Sequence, residues 1–79
     1  MALQNRVRIA RQAHGLTQEA LARVTGVTRQ TIIALEKGGY TPSVTLALRL
    51  ADALEMTVEQ LFWLERKGEA SLSPHAPTT

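Results

Sequence analysis

Residues 18–37 read QEALARVTGVTRQTIIALEK, and the spacing of the apolar positions in this run decides the fold. Those positions recur at helical intervals on either side of Gly26, which gives two short helices joined by a tight turn. Helices that cross steeply need a small side chain where the backbones approach and a turn residue able to take positive φ. Ala22 supplies the first and Gly26 the second. Leu21, Val27, Ile32 and Leu35 then lock the pair from inside, which leaves Arg29, Gln30, Thr31, Ile33 and Ala34 facing outward near the start of the second of these helices.

Outward from that run the same grammar repeats. Gly15 closes a first helix, Thr17 caps the next, and Leu16 before the cap pairs with Leu21 inside it as a hydrophobic staple. Val27, Thr28 and Ile32 repeat the arrangement, as do Met56, Thr57 and Leu61, and Thr57 with Gln60 forms a capping box. Ser43 caps a fourth helix, with Thr41 before Pro42 as the competing start. Breaks at Gly15, Gly26, Gly38-Gly39 with Pro42, and Glu55-Met56 mark out five short helices between Leu3 and Leu64. Strand-like alternation appears over no useful length, so the expected fold class is all-α: a compact five-helix domain over residues 1–67. The spacing predicts a core of Val7, Ala10, Ala20, Leu21, Val24, Ile32, Leu35, Leu46, Leu50, Leu54, Leu61 and Phe62, with Val27 under the turn. Residues 68–79, GEASLSPHAPTT, hold one large apolar side chain, Leu72, too little burial to offset the entropy of ordering, and are read as a flexible tail.

Composition narrows the function classes. At 79 residues, 44% apolar and without cysteine, the chain has room for one modest core and no disulfide framework or thiolate metal site. Its apolar runs fall far short of the ~18 residues of a membrane span, and MALQNRVRIA has no apolar centre of signal-peptide length, so the expected compartment is the cytoplasm. His14 precedes a helix-ending glycine and His75 lies in the tail, neither within a cluster of ligands. Nothing resembles a nucleophile with its base, so neither a cofactor nor an enzymatic activity is expected.

Charge is distributed unevenly. Residues 1–49 carry seven cations against Glu19 and Glu36, a balance of +5, whereas residues 50–79 carry Arg66 and Lys67 against five carboxylates, a balance of −3. Such asymmetry suits a polyanion at the N-terminal end. The outward residues of the second helix of the pair have the matching chemistry: arginine grips guanine through two acceptors, glutamine pairs the edge of adenine, and threonine or isoleucine packs on the methyl of thymine. Any one of these residues is ordinary on a solvated helix; their combination at this spacing points to a helix that reads a major groove.

The runs GLTQEALA, GVTRQTI and LEKGGYTPS, within residues 5–64, resemble the Xre-like regulators, the helix-turn-helix family of the phage Cro and repressor DNA-binding domains. The resemblance implies a lambda-repressor-like domain in which the third helix, about 29–37, reads bases while flanking groups hold phosphates. Carried over by position, Arg29, Gln30, Thr31 and Ile33 are the base-reading set; Thr17 and Gln18 at the start of the second helix and Lys37, Gly39, Tyr40 and Ser43 in and around the following loop are the phosphate contacts. Tyr40 reads equally well as a lid on the core. Two positions depart from the pattern. Ile33 stands where many relatives carry a polar residue, so either the base there presents a methyl or Ile33 is less engaged. Thr25 replaces a commonly apolar residue, and its hydroxyl can bond back to a helix carbonyl while Val24 shares the inner role. Arg11 and Glu36 match positions that often pair between the first and third helices of this family.

The fifth helix, read as VEQLFWLERK, sets Leu61, Phe62, Trp63 and Leu64 in succession, and a helix buried on one side cannot hide all four. The resemblance places pairing near this end, so Leu61, Trp63 and Leu64 are the expected homodimer interface; the plainer alternative leaves Trp63 half exposed on its own domain. The reading is therefore a sequence-specific, double-stranded-DNA-binding transcriptional regulator, a repressor, bound as a homodimer to a palindromic site. The alternative is an antitoxin or adaptor that binds a protein partner through the fifth helix and the tail.

Overall fold

Hydroxyl side chains set the starts of four helices. The computed structural model describes residues 2–65, in the order β1 (Ala2–Asn5), α1 (Val7–Ala13), α2 (Gln18–Thr25), α3 (Arg29–Lys37), α4 (Val44–Leu54), α5 (Val58–Leu61) and β2 (Phe62–Glu65). Thr17, Thr28, Ser43 and Thr57 cap α2 to α5, each accepting from the backbone N–H three residues on. Each cap satisfies one of the donors that a helix leaves free at its first turn, a contribution of about 1 kcal/mol. Ser43, and not Thr41, starts α4, and the Thr57–Gln60 capping box is complete. The residues before three of the caps, Leu16, Val27 and Met56, pack against the core as staples.

Five helices stand as the sequence predicts, but the all-α expectation needs correction. Phe62–Glu65 does not continue α5; it turns extended, with Phe62 at φ −130° and ψ 142°, and pairs antiparallel with β1 in the register Ala2 to Glu65, Leu3 to Leu64, Gln4 to Trp63 and Asn5 to Phe62. The cause is the apolar run itself. A helix would have to bury three of its sides, whereas a strand sends alternate residues to opposite faces, so Phe62 enters the core and Trp63 goes to the other face under the guanidinium of Arg6, 4.7 Å from the ring centroid. A bond from the Arg6 amide to the Leu61 carbonyl, at 3.0 Å, closes the junction.

The core holds Val7, Ala10, Leu21, Ala22, Ile32, Leu35, Leu46, Leu50, Leu54, Leu61 and Phe62. Each fully buried leucine or isoleucine contributes about 1.5–3 kcal/mol. Two expected members are displaced. Val24 is 62% exposed, because Thr25 takes the inward position and satisfies its hydroxyl on the Leu21 carbonyl at 2.7 Å; Ala20 is half buried. Residues 66–79, including Arg66, Lys67 and the expected tail 68–79 with Leu72, lie outside the described residues. Among those described, no helix is long and apolar enough to cross a membrane.

Left-handed residues close helices at unequal cost. Gly26 ends α2 at φ 77°, where a Cβ would lie 3.1 Å from Nη1 of Arg49; Glu55 ends α4 at φ 57° with a full side chain. A left-handed L-residue costs roughly 1–2 kcal/mol. Gly26→Ala is therefore expected to lower the melting temperature, by about 4–8 °C per kcal/mol lost in a domain of this size, and Glu55→Gly to raise it. Thermal melts of the two variants against the parent check both signs.

Candidate nucleic-acid interface

α2 and α3 meet across Gly26 as the spacing requires. Ala22 is buried at their crossing, and its carbonyl accepts from the Val27 amide at 3.0 Å, which folds the turn back on α2. Thr28 then starts α3, so that Arg29 and Gln30 stand exposed on its first turn. Thr31 is half buried, with its hydroxyl 3.2 Å from that of Thr28, and Ile33 is half buried one turn from Arg29. Of the four expected base readers, two are thus fully presented and two are partly occupied by the domain itself.

The orientation of α3 rests on a charge pair. Arg11 Nε donates to Glu36 Oε2 at 2.7 Å and Nη2 donates to Oε1 at 3.3 Å, with side-chain exposures of 11% and 6%. This is the α1–α3 pair expected from the family pattern, and it is enclosed. The third guanidinium nitrogen, Nη1, donates to the Leu16 carbonyl at 2.8 Å, and Gln18 Nε2 donates to Glu36 Oε1 at 3.1 Å. One arginine and one glutamate therefore join α1, the turn before α2, the first residue of α2 and the last turn of α3. Asn5 adds a link that sequence reasoning missed: its side-chain amide donates to the Leu35 carbonyl at 3.1 Å while its oxygen accepts from the Val7 amide at 3.0 Å. An asparagine just before a helix signals a cap, but its reach to α3 has no local signature.

The expected phosphate contacts divide similarly. Thr17 is exposed at the start of α2 and uses its hydroxyl oxygen as the cap, which leaves the hydroxyl hydrogen to donate. Gln18 spends one amide donor on Glu36 and keeps a second. The helix N-terminus between them carries unpaired N–H groups and a partial positive charge, which suit an anion. Lys37, Gly39, Tyr40 and Ser43 are exposed at the end of α3 and in the loop after it, where Gly38 takes φ 89° to end the helix. Ser43 accepts from the Leu46 amide at 3.0 Å as the α4 cap.

The expected interface residues separate clearly. Leu61 is at 0% exposure inside the core and is closed to any second molecule, because α5 is a single turn whose inner side it occupies. Trp63 is half buried on β2 and Leu64 is 53% exposed beside it. His14 has a structural partner: its Nε2 lies 3.0 Å from the Leu54 carbonyl and donates, since a carbonyl only accepts.

Comparison with known proteins agrees with this geometry. A helix-turn-helix family model matches residues 7–61, the span from the start of α1 to the end of α5. The chain is 46% identical over 66 residues to the helix-turn-helix-type transcriptional regulator YgzD of Bacillus subtilis, covering 84% of this chain and 100% of that one. It is 56% identical over 63 residues to a helix-turn-helix-type transcriptional regulator of Methanothermobacter thermautotrophicus, covering 78% and 91% respectively. Among solved structures, the restriction-modification controller protein C.AhdI from Aeromonas hydrophila aligns with a TM-score of 0.64 at 35% identity, over 68% of this chain and 82% of that one. A hypothetical transcription factor, NHTF from Neisseria, aligns with a TM-score of 0.66 at 28% identity, over 85% and 76%.

Because the Arg11–Glu36 pair is enclosed, removing one partner strands a charge. Arg11→Ala is expected to cost about 3–5 kcal/mol, against about 0–1 for an exposed pair, whereas the double replacement Arg11→Met with Glu36→Leu recovers most of the loss. Chemical denaturation of the three proteins measures it, and a loss under 1 kcal/mol for Arg11→Ala would contradict the buried assignment.

Proposed function

The chain belongs to the helix-turn-helix family of DNA-binding transcriptional regulators, of the Xre/Cro type, and from that footing we propose that it is a repressor which seats α3 in the major groove of a palindromic site as a homodimer. The observation that carries this reading is the exposure of Arg29 and Gln30 on the first turn of α3, a helix whose orientation is set by an enclosed ion pair. Arg29 and Gln30 select bases; Thr31 and Ile33 add contacts to methyl groups at the edge of the same helix. Thr17, Gln18, Lys37, Gly39, Tyr40 and Ser43 hold phosphates on either side and fix the register. Repression would follow from occupancy of that site.

A second copy pairs through the β1–β2 sheet, where Leu64 and Trp63 present apolar surface, and not through Leu61. Two-fold pairing brings two α3 helices about one DNA turn apart, ~34 Å, which is what a palindrome reads. The cytoplasm, where the operator resides, is the compartment this function needs.

Enrichment of random duplexes by the purified protein at near-physiological salt tests the reading. The expected result is one palindrome, and Arg29→Ala is expected to cost about 1–3 kcal/mol and relax the preference at one position of each half-site. No enrichment would leave the helix-turn-helix unit as an adaptor for a protein partner. Sedimentation across concentration tests the pairing: Leu64→Asp is expected to shift the protein to monomer, and an unchanged dimer would remove β2 from the interface.

A further inference from the structure

The first helix lies outside the helix-turn-helix unit, yet it lines a groove on the same side of the molecule. Arg8, Arg11 and Gln12 share one face of α1, being three and four positions apart. Together with Gln18 of α2 and Ile33, Glu36 and Lys37 of α3 they enclose an open groove of 360 Å³. Among the described residues the carboxylate of Glu36 is the only acidic group lining it, and Arg11 takes up that charge at 2.7 Å. What the groove offers a ligand is therefore the charge of Arg8 and Lys37 and the amides of Gln12 and Gln18. Among the described residues neither Arg8 nor Lys37 forms an ion pair, and both are exposed.

We propose that this groove is a phosphodiester site, in which Arg8, with Gln12 beside it, contacts the DNA backbone bordering the major groove that α3 enters. The proposal rests on the DNA-binding reading given above. Continuity supports it. Ile33 lines the groove from the same helix that presents Arg29, and Gln18 lines it from the N-terminus of α2, so the groove adjoins both the expected phosphate contact of α2 and the helix expected to read bases. The chemistry is matched to one ligand class. A guanidinium offers a fork of N–H donors to two phosphate oxygens, an ammonium adds a point charge, and a glutamine amide donates without adding charge. A neutral base edge would leave both cations uncompensated, and an apolar partner would desolvate them. α1 thereby widens the footprint by one phosphate per protomer beyond the contacts of α2, α3 and the loop.

The test uses the full chain and the duplex it selects, with affinity measured across a salt series. Each neutralised phosphate contributes about 0.9 to the slope of log affinity against log salt concentration, which is about fivefold in affinity at 0.15 M salt. Arg8→Gln is expected to lower the slope by about 0.9 and the affinity about fivefold per protomer, with the selected sequence and the melting temperature unchanged. Gln12→Arg places a further cation in the same groove and is expected to raise both by similar amounts. Wild-type slope and affinity in both variants, in a protein that still binds its duplex, overturn the phosphate site alone. A wild-type protein without duplex affinity overturns the DNA-binding reading and this site with it.

Discussion

The pairing of Arg11 with Glu36 is the constraint on which the remainder of the interface depends. A short helix held only by apolar contacts has a preferred depth but a weakly fixed rotation about its axis, because dispersion is non-directional. The proposed base reading needs that rotation fixed, since a change of one position in helical phase would replace the exposed Arg29 with a different side chain. The guanidinium supplies the direction: two of its nitrogens bind the Glu36 carboxylate and the third binds the Leu16 carbonyl in the turn before α2. Gln18 completes the arrangement from the first residue of α2. The N-terminus suited to a phosphate and the helix suited to bases are thus referenced to the same two charged groups.

That arrangement carries a desolvation penalty, and apolar residues of similar volume would serve stability as well or better. Its presence fits a role in geometry, because a bidentate pair accepts far fewer relative orientations than a leucine contact. The polar atoms around it are satisfied: among the described residues, no buried side-chain nitrogen or oxygen lacks a hydrogen-bond partner. Thr25 follows the same rule, being buried yet bonded to the Leu21 carbonyl within its own helix.

The helical frame was legible in the sequence because its determinants are local. A threonine before a periodic run, a staple residue before the threonine and a glycine after the last turn each act within five residues, and all four caps fall where that chemistry puts them. The sheet was not legible for the opposite reason. Ala2–Asn5 pairs with Phe62–Glu65, segments from opposite ends of the described chain, and neither shows alternation by itself. The succession Leu61 to Leu64 did reveal that a helix could not hide every side chain; what it could not reveal was the partner strand that resolves the conflict. Residue types at the interface were legible too, but their engagement was not: Gln18 bound to Glu36, and Arg8 and Gln12 brought alongside α3, are products of tertiary packing. Val24 and Thr25 show the limit of type-based reasoning, since the polar member of the pair is the buried one.

The sheet also relates the two proposed activities of the molecule, pairing and base reading. β1 is joined to the last turn of α3 through the bond from Asn5 to the Leu35 carbonyl, one residue from Glu36, and to the end of α5 through the bond from Arg6 to the Leu61 carbonyl. Arg6 in turn covers Trp63. A second copy seated against β2, as proposed, would rest on a strand paired with β1, which is itself hydrogen-bonded to α3. In the proposed dimer, rigid coupling of this kind would make the separation of two α3 helices a property of the protein and not of the DNA. The family model ends at Leu61, but the span shared with the Bacillus subtilis regulator, 84% of this chain, takes in β2, so the strand that would set half-site spacing in the proposed dimer is shared with that relative. Relatives with the same α1 to α5 but a different strand pair would hold similar recognition helices at different distances, and discrimination between palindromes could then change without a change in any base-reading residue.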